Sequence, residues 1–432
     1  MKAMKLYIGS ILAGVTLLAS CTAVDYPDRF QLTPGVPSVD YVRYADRDLI
    51  IDQAAMAETV CIVGENLTSV HDLYFNDQQA ILNTSYMTAH TLIVAVPKTL
   101  PTVEDNKIHL ITKDSTVVLY DFKVLPPAPK ISGMSNEWAA EGETVTINGS
   151  YMFAPLTVQF PGVDPIDITE AGGDSFEVKV PAGAKPGKIK VTTASGTAQS
   201  IFMYKDSRGM LFDFDGLTGL DNHGWNGHAS KDDDGFGISG RYFQFGDGSA
   251  VLDGKWEEAN FSFVYWPGTW NDPENYWDAP RLTDVGDFSN YATKALKFEI
   301  NVPASNPWNN TPMMICFGGV DLISFGAATK DIYGNDVAGQ NNTYMSGNEA
   351  PRAFYMPWEA TGSFHTDGKW ITATIPLTDA NLGWNGAPAT KAITDDSFSS
   401  LWLFICNGGM EFPDATCTPI IRIDNIRVVP IK

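Results

Sequence analysis

The chain has 432 residues, enough for two to four domains that each bury a core of their own. Its 38 Gly and 26 Pro, with long helical periodicities absent, predict an all-β protein of short strands and turns. The formal net charge of −22 argues against nucleic acid or an anionic membrane surface as partner, since both require a basic face; neutral polysaccharide and plain solubility are both compatible with it.

At the N-terminus Lys2 and Lys5 precede an apolar run from Leu6 to Leu18, too short to stay in a bilayer as a span. Residues 1–20 therefore read as a signal peptide. They end in Leu18-Ala19-Ser20-Cys21, which resembles a bacterial lipobox. That resemblance implies cleavage before Cys21, lipidation of its thiol, and anchoring by acyl chains outside the cytoplasm. The polar, Pro-containing residues 21–37 then serve as a tether. Of the later cysteines, Cys61 sits in an apolar strand, and Cys316, Cys406 and Cys417 have no metal-ligand spacing. All four are expected free and buried, with a bridge among the last three left open.

An internal repeat follows. Glu58-Thr59-Val60-Cys61-Ile62-Val63-Gly64 aligns with Glu143-Thr144-Val145-Thr146-Ile147-Asn148-Gly149, and Leu92–Pro97 aligns with Phe176–Pro181. Two small sandwiches are expected, over 38–125 and 126–206, joined by a stiff Leu125-Pro126-Pro127-Ala128-Pro129 connection. The pattern ETVxIxG followed by VxVP resembles the IPT/TIG type of immunoglobulin-like domain, which implies a spacer role.

From residue 207 the composition changes, and ten of the eleven tryptophans lie beyond it; Trp138 is the exception. Apolar alternation predicts strands near Met210–Asp215, Lys297–Val302, Met313–Phe317, Trp370–Pro376, Leu401–Cys406 and Ile420–Val429, hence one large jelly-roll-like β-sandwich over 207–432. Trp370 and Trp402 fall within such strands and are expected in the core. Within Trp256–Pro280 the strand alternation of Phe261, Phe263 and Tyr265 gives way to turn residues carrying Trp270, Tyr276 and Trp277. Exposed indole and phenol faces suit the C–H face of a pyranose ring, with nearby Asn, Asp and Glu bonding its hydroxyls. Trp308, Tyr355 and Trp358 also sit amid turn residues and join the candidates. Trp225 carries the same kind of signal, and Trp384 is undecided.

Metal and catalytic readings are weaker. Asp232-Asp233-Asp234-Gly235 resembles half a calcium loop without its downstream bidentate Glu, so a solvated turn is expected there. A structural calcium at Asp213, Asp215 and Asp424 stays open, and no other cofactor is indicated. A retaining glycosidase needs two facing carboxylates about 5 Å apart. Glu257 and Glu258, read as strand neighbours, point to opposite faces. None of the metalloprotease, serine-hydrolase or phosphate-loop signatures appears.

The opening Leu211-Phe212-Asp213-Phe214-Asp215-Gly216 and the closing Ile420–Ile431 resemble carbohydrate-binding modules of jelly-roll type. Spacers followed by this domain resemble the surface glycan-binding proteins B of Bacteroidetes Sus-like polysaccharide utilisation systems. The resemblance implies non-catalytic capture of xyloglucan or another β-glucan at the outer-membrane surface, on an aromatic platform whose central pair is Tyr276-Trp277. It also implies two partners, an outer-membrane glycan importer and a companion binding lipoprotein. The rival readings are an adhesion or assembly protein, whose rings would meet protein, and a hydrolase with an unrecognised acid pair.

Overall fold

A computed structural model describes residues 35–221, 231–265, 280–318, 348, 350–412 and 415–431. Cys21 and most of the tether lie outside this range. The chain divides into two compact units at Pro127/Ala128.

In the first unit, β1 (Ser38–Tyr44), β2 (Ile50–Ile51), β4 (Thr59–Glu65) and β7 (Thr91–Ala95) form a sheet ordered β2-β1-β4-β7. A second sheet runs β6-β5-β8-β9, from β5 (Val70–Phe75), β6 (Gln78–Ala80), β8 (Lys107–Thr112) and β9 (Val117–Asp121). A short parallel pair, β3 (Gln53–Ala55) with β10 (Lys123–Leu125), closes one side. Val60, Ile62, Leu73, Leu92 and Leu110 meet between the sheets. The alternating face of each strand supplies them, as a period of two requires.

The second unit opens with the other copy of the repeat. Its sheets are β11 (Lys130–Met134), β12 (Thr144–Phe153) and β15 (Gly172–Lys179), against β13 (Leu156–Gln159), β14 (Ile166–Ile168), β16 (Lys190–Thr193) and β17 (Gly196–Gln199). The two repeats pair in one register: Thr59 faces Ala95 as Thr144 faces Lys179, and Val60 faces Val94 as Val145 faces Val178.

The same unit continues into the large sandwich. A five-stranded sheet runs β18-β26-β21-β24 with β19 also on β26, built from β18 (Met210–Phe212), β19 (Phe243–Phe245), β21 (Lys294–Asn301), β24 (Ile371–Pro376) and β26 (Ile421–Pro430). Facing it is the four-stranded sheet β20-β25-β22-β23, from β20 (Ser262–Tyr265), β22 (Met313–Gly318), β23 (Arg352–Tyr355) and β25 (Ser400–Ile405). Phe212, Phe243, Phe263, Phe298, Ile315, Leu403 and Ile423 fill the space between. The fold is all-β: two Ig-like sandwiches followed by a larger one. The second Ig-like sandwich and the larger one lie together in the compact unit 128–432.

One local expectation changes. The stretch before β20 is not strand: α1 (Glu258–Phe261) is a single helical turn, and Glu257 caps it by accepting from Ala259 N at 2.8 Å and Asn260 N at 2.9 Å. Strand alternation therefore does not describe Glu257 and Glu258. The cap itself occupies both oxygens of Glu257. Among the cysteines, Cys61, Cys316 and Cys406 are buried thiols and Cys417 is half-buried; all four are free.

Candidate functional site

The site is built on the outer face of the four-stranded sheet. Alternation sends Phe263, Met313, Ile315, Leu401, Leu403 and Ile405 into the inter-sheet core. Their neighbours point the other way. Across the sheet these form two rows, Val264–Trp402–Cys316–Arg352 and Ser262–Phe404–Met314–Phe354. An outer face of this make-up, with buried indole, phenyl, thiol and thioether groups, is not a surface left to water.

A second aromatic layer lies on it. The Trp256 ring stacks on Phe404 at 4.3 Å between centroids, and Trp384 leans on Trp256 at 5.8 Å. Arg352, buried on the same face, places its guanidinium 5.6 Å from the Trp384 ring centre and donates to Ala350 O at 3.3 Å. Glycines allow the close approach: a Cβ on Gly409 would fall 2.6 Å from Trp384 Cδ1. Trp256 remains 37% exposed, an indole supported from below with part of its surface open to solvent.

The edge strand of this sheet feeds the ring-rich segment. β20 ends at Tyr265, whose hydroxyl donates to Pro280 O at 2.5 Å, which holds these two residues together. Burial raises the Tyr265 phenol above its ordinary range and keeps it a donor. Trp270, Tyr276 and Trp277 belong to that segment and, like Trp225, lie outside the described residues. Beyond Pro280, α2 (Leu282–Val285) borders a polar cleft of about 530 Å³ lined by Arg281, Thr283, Asp284, Asp287, Ser289 and Asp395 among others.

The remaining candidates sit elsewhere. Trp308 is fully buried, and its indole N–H donates to Asn310 O at 2.8 Å and Thr311 O at 2.9 Å. Its platform role is therefore corrected: it plugs one end of the core. Tyr355 packs in the same plug, 6.0 Å from the rings of both Trp308 and Phe298, and burial raises its phenol well above the ordinary value. Trp308 has no face to offer a sugar, while Tyr355 is partly buried against the same core. Trp358 is half-buried, donates to Thr311 O at 3.2 Å and meets Phe412 edge-on. Turn residues around a ring do not distinguish a presented ring from a plugging one, which is why sequence grouped these three with the others. Trp370 and Trp402 are buried as expected, though on the outer faces of their sheets. Trp256 was not among the sequence candidates and Trp384 was undecided there; the local signal is Gly383-Trp384-Asn385-Gly386 against Gly408-Gly409, small residues gathered about an indole.

No group of three or more His, Cys, Asp or Glu among the described residues could hold a metal ion. The calcium candidates are otherwise engaged. Asp213 accepts from Gly216 N and Leu217 N, Asp215 from Arg241 N, and Asp424 is buried beside Ser239. They do not form a cation cradle. Asp233 and Asp234 close a turn by accepting from Gly235 N and Phe236 N.

An all-β chain whose last sandwich stacks a partly exposed indole on the aromatic outer face of one sheet has the make-up of a carbohydrate-binding protein. The family described as surface glycan-binding protein B xyloglucan binding domain matches residues 204–430. The crystal structure of surface glycan-binding protein PbSGBP-B from Prevotella bryantii is 41% identical, covering 93% of this chain and 100% of that one, with a TM-score of 0.77. An IPT/TIG domain-containing protein of Bacteroides ovatus is 27% identical over 152 residues, 32% of this chain and 31% of that relative's length. This chain belongs to the surface glycan-binding protein B family, whose members bind glycan and are not catalysts.

Proposed function

We propose that the chain captures a soluble β-glucan, xyloglucan first among them, at the outer-membrane surface. In this reading Cys21 carries the lipid and residues 207–432 carry the platform. Trp270, Tyr276 and Trp277 form its outer part, and Trp256 with Trp384 extends it over the sheet. The captured chain passes to an outer-membrane glycan importer working with a companion binding lipoprotein. What supports the reading is one juxtaposition: a segment with three large rings is rooted at the edge of a sheet face already layered with indoles, in a domain whose family description names xyloglucan. Aromatic stacking suits the equatorial C–H faces of a β-1,4-linked glucan. Affinity at one open platform is modest, since hydroxyl contacts there compete with water, and many anchored copies retain a long chain by raising its effective concentration.

Affinity electrophoresis of residues 22–432 in xyloglucan, mixed-linkage β-glucan, β-1,3-glucan, mannan and starch tests this. Retardation by xyloglucan is expected, lost in Trp277→Ala and weakened in Trp256→Ala, while Trp358→Ala leaves it in place. Retardation by another glucan alone changes the ligand. Free migration in every gel would end the glycan reading and turn attention to a protein partner.

A further inference from the structure

We infer that the second Ig-like sandwich is a fixed base of the binding sandwich, docked through Glu137 into a closed charge cluster, so that residues 128–432 open and close as one body. Glu137 follows β11 and belongs to the Ig-like part; its side chain is 3% exposed. Its partners belong to the other sandwich. Oε2 accepts from Arg427 Nη2 at 2.9 Å, and Oε1 accepts from Lys297 Nζ at 2.5 Å. Arg427 also grips Glu299 with both nitrogens, at 2.7 and 3.0 Å. Lys297 and Arg427 are register partners on β21 and β26, and with Glu299 they project from the outer face of the five-stranded sheet.

Two bonds donated by backbone N–H groups hold the approach. Thr372 N on β24 donates to Ser135 O at 2.8 Å, and Glu137 N donates to Thr372 Oγ1 at 2.8 Å. The Thr372 hydroxyl in turn donates to Glu299 Oε1 at 2.9 Å. From the far end of the Ig-like part, Lys205 N donates to Glu137 O at 2.8 Å, and the Phe202 ring lies 5.6 Å from Lys297 Nζ.

The ion pairs tie the two parts together. Two cations, Lys297 and Arg427, face two anions, Glu299 and Glu137, and the second anion comes from the Ig-like part. Removing one member of a buried ion pair strands its partner in a poorly solvating place, which costs far more than a surface pair contributes. The seam between the two parts is buried, ion-paired and crossed by the backbone bond from Thr372 N to Ser135 O.

Native-state hydrogen exchange of residues 22–432 in rising denaturant tests the inference, beside Glu137→Gln and a control at an exposed acid, Glu170→Gln. In the unsubstituted chain, the amides of β12 and β15 should open in the same step as those of β21 and β26. In Glu137→Gln, protection of β12 and β15 should fall at least about tenfold, with Glu170→Gln unchanged. The inference is overturned if β12 and β15 open in a separate, earlier step in the unsubstituted chain, or if Glu137→Gln exchanges as the control does.

Discussion

Asp424 shows how a single residue can be read only from its surroundings. In sequence it sits in an alternating Ile-Arg-Ile-Asp-Asn-Ile strand and invites a metal-site reading. In the fold it is fully buried, with Asn425 N donating to it at 2.7 Å and Ser239 Oγ at 3.3 Å. Burial first, then the Glu299 and Asp215 carboxylates, push its pKa up to about 8. A carboxyl that titrates higher in the folded state stabilises fully below its unfolded value, about 4, and that contribution is lost as pH rises through the folded value. Urea midpoints across this window should therefore decline with pH more steeply in the native chain than in Asp424→Asn. Parallel profiles would mean that Asp424 is ionised in the fold.

At the scale of elements, the repeat explains its own residues. Glu58 and Glu143 close the same turn, accepting from Ala55 N and Ala140 N, and the preceding Ala57 and Gly142 both have positive φ. Gly64 and Gly149 end the motif for a steric reason: a Cβ on either would lie 1.9 Å from a carbonyl oxygen of the neighbouring strand, Ser38 O and Lys130 O respectively. Gly149→Ala should destabilise the second unit by about 1–3 kcal/mol, the usual range for overpacking, read as a lower thermal midpoint. A midpoint within error of the native one would show that β11 yields without cost. This repeat, the alternating strands of the large sandwich and its closing strand were legible because local periodicity dictates them. The site was legible only in part. Trp308 and Tyr355 carry the same local signal as a presented ring, and what decides their fate is packing against Phe298 and Phe364, far away in sequence. Glu137 was invisible for a related reason. An acid in a polar loop looks solvated until residues 297 and 427 are folded beside it.

For the whole molecule, the question is what a net charge of −22 does to a glycan binder. The cations that matter inside the second unit are already committed: Lys297 and Arg427 to carboxylates, and Arg352 beneath an indole. What this face leaves partly open is the Trp256 indole stacked on Phe404, and an indole has no charge for a counterion to compete with. Stacking on a neutral pyranose gains from desolvation and dispersion, neither of which is screened by salt. The net negative charge should instead repel polyanions at long range. Binding of neutral xyloglucan measured by calorimetry should therefore hold within about twofold between roughly 0.02 and 0.5 M NaCl, a range over which the screening length shrinks from about 20 to about 4 Å. A carboxymethylated glucan of the same backbone should bind more weakly at the low-salt end and recover as salt rises. Tighter binding of the anionic polymer at low salt would contradict this, because it would require a basic face that the folded chain presents and its composition does not suggest.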